Sequence, residues 1–209
     1  MDPRIQHTIA AYDAHAERYH AQWWDRRPLD AVRRFAGMAG HGAWVIDVAS
    51  GPALDVRALR DYGLNVVAGD RSLAAMQLGV HLFPKRPLAV WDLRRLPFAD
   101  GTFGGVWAPA ALQHLPRGAL RQAFGELRRV HGRGPILVSF REGTGDLEPV
   151  EDPPVGEVYA TTLSEDELRA LLVDQGYGAV EVVRRPDPLG RREVTWLYGW
   201  GRRPAPSVG

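Results

Sequence analysis

Three aspartates close three successive apolar runs. Asp47 ends Val45-Ile46-Asp47, Asp70 ends Asn65-Val66-Val67-Ala68-Gly69-Asp70, and Asp92 ends Leu88-Ala89-Val90-Trp91-Asp92. Asp47 leads into Val48-Ala49-Ser50-Gly51-Pro52, where small residues let the backbone approach a ligand ahead of a helix whose first N–H groups are free. Asp70 follows Gly51 by nineteen residues. At that interval a strand-end acid can accept from both hydroxyls of a ribose. Asp92 is placed to accept from the amino group of a base. A lone strand-end aspartate is ordinarily a turn or helix cap; three in chain order point to a nucleoside-bearing ligand along one sheet edge. His114 comes soon after a fourth run, which ends at Ala108, and is the histidine best placed to take a proton near that edge. Its structural alternative is to fix the start of a helix. The other six, His7, His15, His20, His41, His81 and His131, lack metal-ligand spacing, so no metal is expected.

Bringing such residues together requires a parallel sheet. Strand-like runs at 43–49, 65–70, 88–92, 103–108 and 135–140 alternate with helical periodicity, which predicts five parallel strands with helices on both faces. Ser72 is placed to cap one helix, and Ser164 with Glu167 makes a capping box for another ending near Gly176. The runs 179–184 and 193–200 are too close for a helical crossover and are predicted to pair antiparallel. The expected fold class is α/β: a doubly wound, seven-stranded sheet, mostly parallel, with an antiparallel C-terminal hairpin strand. Ile5, Ile9, Tyr12, Ala16, Tyr19 and Trp23 form the stripe of an amphipathic helix over 3–24, and a second helix is predicted from Asp30 to about Gly40. Together they form an expected N-terminal helical cap (1–40) on a domain spanning 41–203, with 204–209 as a flexible tail. Residues 142–167 hold nine acids and no base, and Pro149, Pro153 and Pro154 are expected to break any regular element there. This stretch reads as a solvated loop or as a lid over 142–163, because it follows a strand end where open α/β sheets bind ligands.

Composition excludes several functions. The chain has 209 residues, a net charge of +1 and no cysteine. It therefore has no disulfide, thiolate metal site or cysteine nucleophile, and no overall field drawing it to nucleic acid or acidic lipid. Its single lysine, Lys85, has no neighbours suited to covalent catalysis. No apolar run reaches the ~18 residues of a membrane span. A cytoplasmic location is expected, with a small molecule rather than a nucleic acid as partner. The arginines gathered at 184–203 read as a solvated edge.

The motifs also carry a resemblance. Val45-Ile46-Asp47-Val48-Ala49-Ser50-Gly51 resembles motif I of the class I S-adenosylmethionine-dependent methyltransferases, and its alanine at 49 resembles the quinone-biosynthesis branch. Val67-Ala68-Gly69-Asp70-Arg71-Ser72 resembles the second motif. Asp92 with Leu96-Pro97-Phe98-Ala99-Asp100-Gly101-Thr102-Phe103 is similar to the third, and Tyr12-Asp13 with Tyr19 to the N-terminal segment. The resemblance implies a Rossmann-like fold with S-adenosylmethionine as cofactor and S-adenosylhomocysteine as product. It implies that Asp47, Ala49, Ser50 and Gly51 hold the methionine part and Asp70 the ribose. Asp92, flanked by Leu93 and Arg71, would hold the adenine; Tyr19 would close over the cofactor, and Ala108 would lie near the sulfonium. His114 is then the candidate base, and Tyr12, Trp23, Trp107, Arg141 and Glu142 are candidate walls of the acceptor pocket. The chain departs from the pattern at Ala53 and Gly104, where the family has glycine and aspartate.

Two other readings remain. A nicotinamide-dependent oxidoreductase would suit Asp70, but its fingerprint needs a small residue at 56, which is Val. A scaffold module with weakened catalysis would account for Ala53 and Gly104.

Overall fold

The computed structural model describes residues 2–84 and 87–203. Lys85 and the predicted tail 204–209 lie outside the described residues. The strands are β1 (Trp44–Asp47), β2 (Asn65–Asp70), β3 (Leu88–Val90), β4 (Gly105–Ala108), β5 (Gly134–Arg141), β6 (Glu148–Asp152), β7 (Gly156–Ala160), β8 (Gly178–Pro186) and β9 (Thr195–Arg203). Seven of them form one sheet in the order β3-β2-β1-β4-β5-β9-β8. The first five run parallel, and β9 pairs antiparallel with both β5 and β8. Strand order reverses between β1 and β4, so a crevice opens beyond their C-terminal ends.

Alternation along the strands divides the core into two layers. Val45, Trp107 and Leu137 face α3 (Leu29–Ala39) and α4 (Leu54–Asp61) through Phe35, Val56 and Leu59. Ile46, Val106, Ala108, Ile136 and Val138 face α6 (Arg117–Val130) and α7 (Glu165–Asp174) through Phe124, Leu127, Leu168 and Leu172. Ser164 makes the capping box with Glu167, and Ser72 caps α5 (Leu73–Leu82) through Ala75 N.

The structure corrects three expectations. The predicted helix over 3–24 is two helices, α1 (Pro3–Ala14) and α2 (Ala16–Trp23), broken at His15, whose φ of −126° leaves the helical region. The apolar stripe crosses this break without a glycine or proline to mark it. Helix α3, assigned with them to the cap, instead packs into the sheet core through Val32 and Phe35. The proline-bearing stretch 142–163 holds β6 and β7 as an antiparallel ribbon. Each strand of such a ribbon has an open edge, where Pro149 needs no ladder donor. β7 lies along α1, with Tyr159 N donating to Thr8 Oγ1 at 3.0 Å.

Candidate active site

The C-terminal ends of the parallel strands, α1, α2 and β6 border a cavity of about 240 Å³. From the expected cofactor set, Tyr19, Asp47, Ala49, Ser50, Gly51, Asp70, Arg71, Asp92 and Leu93 line it, as do Tyr12, Trp23 and His114 from the acceptor set. Four expected residues do not. Trp107 points into the α3 layer, stacks edge-on to Phe35 and donates Nε1–H to Asp55 Oδ2 at 2.9 Å. Ala108 points into the opposite layer, and the cavity wall beyond β4 is made by Pro109, Ala110 and Ala111. Arg141 stands behind the lining, its Nη2 donating to Asp152 Oδ1 at 3.2 Å. Glu142 is drawn outward by Arg184 at 2.7 Å.

The three strand-end acids sit in different electrostatic settings. Asp47 is 2% exposed, and its Oδ2 has no hydrogen-bond partner among the described residues. Burial first, then Asp55 and Asp70, hold its carboxyl well above the usual range. Asp70 accepts from Gly51 N and Ser72 N, both at 2.9 Å, and so joins the turns after β1 and β2. Burial still raises its pKa against those bonds. Asp92 lies at the rim, where Arg94 grips it at 2.6 Å and, with Arg71, holds it down to about 2.

The Gly51 turn favours its glycine: φ is +52°, in the left-handed region, and the Tyr19 ring packs at van der Waals distance from where a Cβ would stand. Two residues on, Ala53 adopts a left-handed backbone (φ 61°, ψ 37°) as the N-cap of α4. The glycine that the resemblance implies at this position is thus explained by geometry, and the alanine stores about 1 kcal/mol of strain.

Helix α1 is fastened beside this rim. Asp13 Oδ1 accepts from Ser72 Oγ at 2.5 Å and from Ala74 N at 3.1 Å, at the start of α5. Asp13→Ala is expected to cost about 1–2 kcal/mol of stability. Because α1 carries the cavity roof, the same variant should weaken S-adenosylhomocysteine binding several-fold; thermal unfolding and calorimetry check the two effects.

Other lining residues were not singled out from sequence. Asp55 follows the first residue of α4, and its carboxyl is pushed up by burial. Gln113, Ser139, Asp152, Trp196 and Tyr198 also line the cavity. Asp152 is one acid of the acid-rich stretch, and nothing local distinguishes it from its neighbours. It accepts from Tyr12 Oη at 2.6 Å, across 140 residues of chain. Among the described residues, no cluster of three or more His, Asp or Glu stands ready to hold a metal, and no helix is long and apolar enough to cross a membrane.

Comparison with known proteins bears on the family of this chain. A family model described as a methyltransferase domain matches residues 46–139. A demethylmenaquinone methyltransferase of Beutenbergia cavernae is 31% identical over 180 residues, covering 85% of this chain and 71% of that protein. One from Renibacterium salmoninarum is 30% identical over 148 residues, covering 66% of this chain; the chain spans only 60% of that relative. Among solved structures, the Burkholderia thailandensis 1,6-didemethyltoxoflavin-N1-methyltransferase with bound S-adenosylhomocysteine superposes with a TM-score of 0.72. It is 17% identical and covers 98% of this chain and 92% of its own. Magnesium protoporphyrin IX methyltransferase of Synechocystis, with bound S-adenosylmethionine, shares the fold at a TM-score of 0.66, with 16% identity and coverage of 89% and 83%. With a sheet edge of strand-end acids, a matching family model and a relative aligned over most of both lengths, the chain belongs to the class I S-adenosylmethionine-dependent methyltransferases.

Proposed function

We propose that this chain transfers a methyl group from S-adenosylmethionine to a small, ring-bearing acceptor of the quinol type, in the cytoplasm and without a nucleic-acid partner. The observation that carries the reading is the buried, unpartnered Oδ2 of Asp47, flanked by Asp55 and Asp70. Buried acids with raised pKa values favour a cationic ligand, and the donor brings an ammonium and a sulfonium. In this reading Asp47, Ala49, Ser50 and Gly51 hold the methionine part, Asp70 the ribose, and Asp92 with Arg71 and Leu93 the adenine; Tyr19 covers the Gly51 turn. When bound, the cofactor supplies a methyl group already made electrophilic by positive sulfur. The chain's share is to align the acceptor, exclude water and take its proton at His114.

The acceptor class rests on the wall formed by Ile5, Ile9, Trp23 and Leu115, apolar and aromatic with few polar atoms, and on the named substrate of the demethylmenaquinone relatives. A cleft of about 240 Å³ suits one ring system better than a nucleic acid. Arg184 and Arg185 at the terminal hairpin are already engaged by Glu142, Glu165 and Asp30. A dinucleotide reading is disfavoured because Val56 fills the core at 1% exposure where a small residue is needed.

Calorimetry with S-adenosylmethionine and S-adenosylhomocysteine tests the donor, and turnover of 1,4-naphthohydroquinone under reducing conditions tests the acceptor. Absence of binding by both sulfur compounds overturns the donor assignment. Binding without turnover retires the quinol class.

A further inference from the structure

His114 touches α1 and β7 and faces charged groups of β5 and β6 across the cavity. Its Nδ1 lies 2.8 Å from the carbonyl oxygen of Tyr159 on β7. A carbonyl only accepts, so Nδ1 carries the hydrogen and, in the neutral ring, Nε2 carries the lone pair. Nε2 faces the Tyr12 hydroxyl of α1 at 3.3 Å. That hydroxyl gives its only proton to Asp152 Oδ2 at 2.6 Å, and Arg141 holds the other oxygen of Asp152. In the resting state the Nε2 lone pair therefore looks at an oxygen whose proton is committed elsewhere, and its one donor is the Gln113 amide at 3.5 Å.

The pattern closes once Nε2 gains a proton. The imidazolium then donates from Nδ1 to the Tyr159 carbonyl and from Nε2 to Tyr12. Tyr12 in turn donates to Asp152, whose carboxylate answers the new positive charge. In that state Nε2 donates to an oxygen at 3.3 Å, whereas the resting lone pair meets only the Gln113 amide nitrogen at the long distance of 3.5 Å. Sites complementary to the charge that develops during a reaction, rather than to the resting charge, are the mark of a preorganised proton acceptor.

We propose that His114, Tyr12 and Asp152 form a relay built for the protonated state of His114, so that the acceptor is one that must lose a proton from oxygen, with Tyr12 and Asp152 as positioning residues on the cap helix and the ribbon. The acceptor's O–H bond breaks, its proton goes to Nε2, and the electron pair stays on the oxygen. This rests on the methyl-transfer reading and adds to it the acidity of the acceptor. Buried Gln113 Oε1 and Trp23 Nε1, both unpartnered among the described residues, supply one further acceptor and one further donor for a hydroxylated ring.

The charged and titratable groups facing His114 are Tyr12 from α1, Arg141 from β5 and Asp152 from β6. Burial lowers the His114 pKa and keeps the resting ring neutral, Arg141 opposes a positive charge, and Asp152 favours one. Burial also holds Tyr12 well above its ordinary value, so it remains a phenol throughout.

The test is NMR titration of His114 in the full chain, with S-adenosylhomocysteine affinity measured on the same samples. Tyr12→Phe and Asp152→Asn are each expected to lower the His114 pKa by roughly one unit, the size of a lost charge-assisted contact. Both should leave S-adenosylhomocysteine affinity within about twofold while reducing turnover of 1,4-naphthohydroquinone more than tenfold. A His114 pKa unmoved in Tyr12→Phe overturns the relay even if Asp152→Asn fails to fold. Failure of the wild-type chain to bind S-adenosylhomocysteine sinks the methyl-transfer reading instead, whatever the titration shows.

Discussion

Asp47→Asn is expected to bind S-adenosylhomocysteine about 100-fold more weakly, a loss of about 2.7 kcal/mol, while the ligand-free protein melts at a higher temperature. The opposite signs share one cause. Asp47 sits dry at the end of β1 with Oδ2 unpartnered and two further acids beside it. Its folded pKa lies well above the ordinary 3.8. The folded state therefore holds a proton that the unfolded chain releases, and stability falls as pH rises through that window. Above the raised pKa the full penalty applies, about 1.4 kcal/mol for each pH unit that separates the folded value from the unfolded one. Asparagine copies the neutral form and escapes the penalty; at this chain length each kcal/mol raises Tm by about 2–4 °C. The ligand's ammonium reverses the balance, because it needs the charge that the empty site disfavours. Affinity in the wild type should therefore decline on acidification as Asp47, Asp55 and Asp70 take up protons, since all three carboxyls lie above their ordinary range. The decline should be shallower in Asp47→Asn. Calorimetry and thermal unfolding across a pH series measure both quantities. Unchanged affinity with a lowered Tm would make Asp47 a structural residue only.

Most of the frame was legible because its signals are local and periodic. The interval from Gly51 to Asp70 follows from one strand–helix–strand unit, and Ser164 with Glu167 announces its helix within four residues. The facing of β4 was not legible: Gly105-Val106-Trp107-Ala108 is buried throughout, so no polar alternation marks which side meets the cavity. Trp107 therefore read as a pocket wall, although it packs against Phe35. The ribbon was hidden for a different reason. Prolines exclude central strands but not a two-stranded ribbon, and its partner surface, α1, lies 151 residues away, as the Thr8–Tyr159 bond shows. Asp152 could not be recognised before that docking was known. Its role comes from Tyr12 and Arg141, two side chains with which it shares no sequence spacing.

That docking makes Arg141 the position where stability and function separate most clearly. Arg141→Leu is expected to destabilise the fold by about 3–5 kcal/mol, the cost of stranding a buried charge. Arg141 and Asp152 have side chains only 7% and 8% exposed. Arg141 also donates Nη1–H to the Glu151 carbonyl at 3.3 Å, and its guanidinium lies 5.6 Å from the Trp196 ring centre, so one side chain pins β6 against β5 and β9. Removing it leaves the Asp152 carboxylate with Tyr12 alone. The double variant Arg141→Leu with Asp152→Asn should recover part of the loss, because the stranded charge goes with it; a coupling of about 1–3 kcal/mol is expected from residues in direct contact. Arg141→Lys should fall between, since an ammonium cannot reach both Asp152 and the Glu151 carbonyl with a planar fork. Urea unfolding of the four proteins reads the cycle. Additive losses would mean that the pair contributes nothing beyond its separate packing, and the ribbon would then be held by α1 alone. A loosened ribbon should also act unevenly on the site: the strand-end acids of β1 and β2 remain in place, so S-adenosylhomocysteine affinity should change little, whereas KM for the acceptor should rise because its roof carries Asp152.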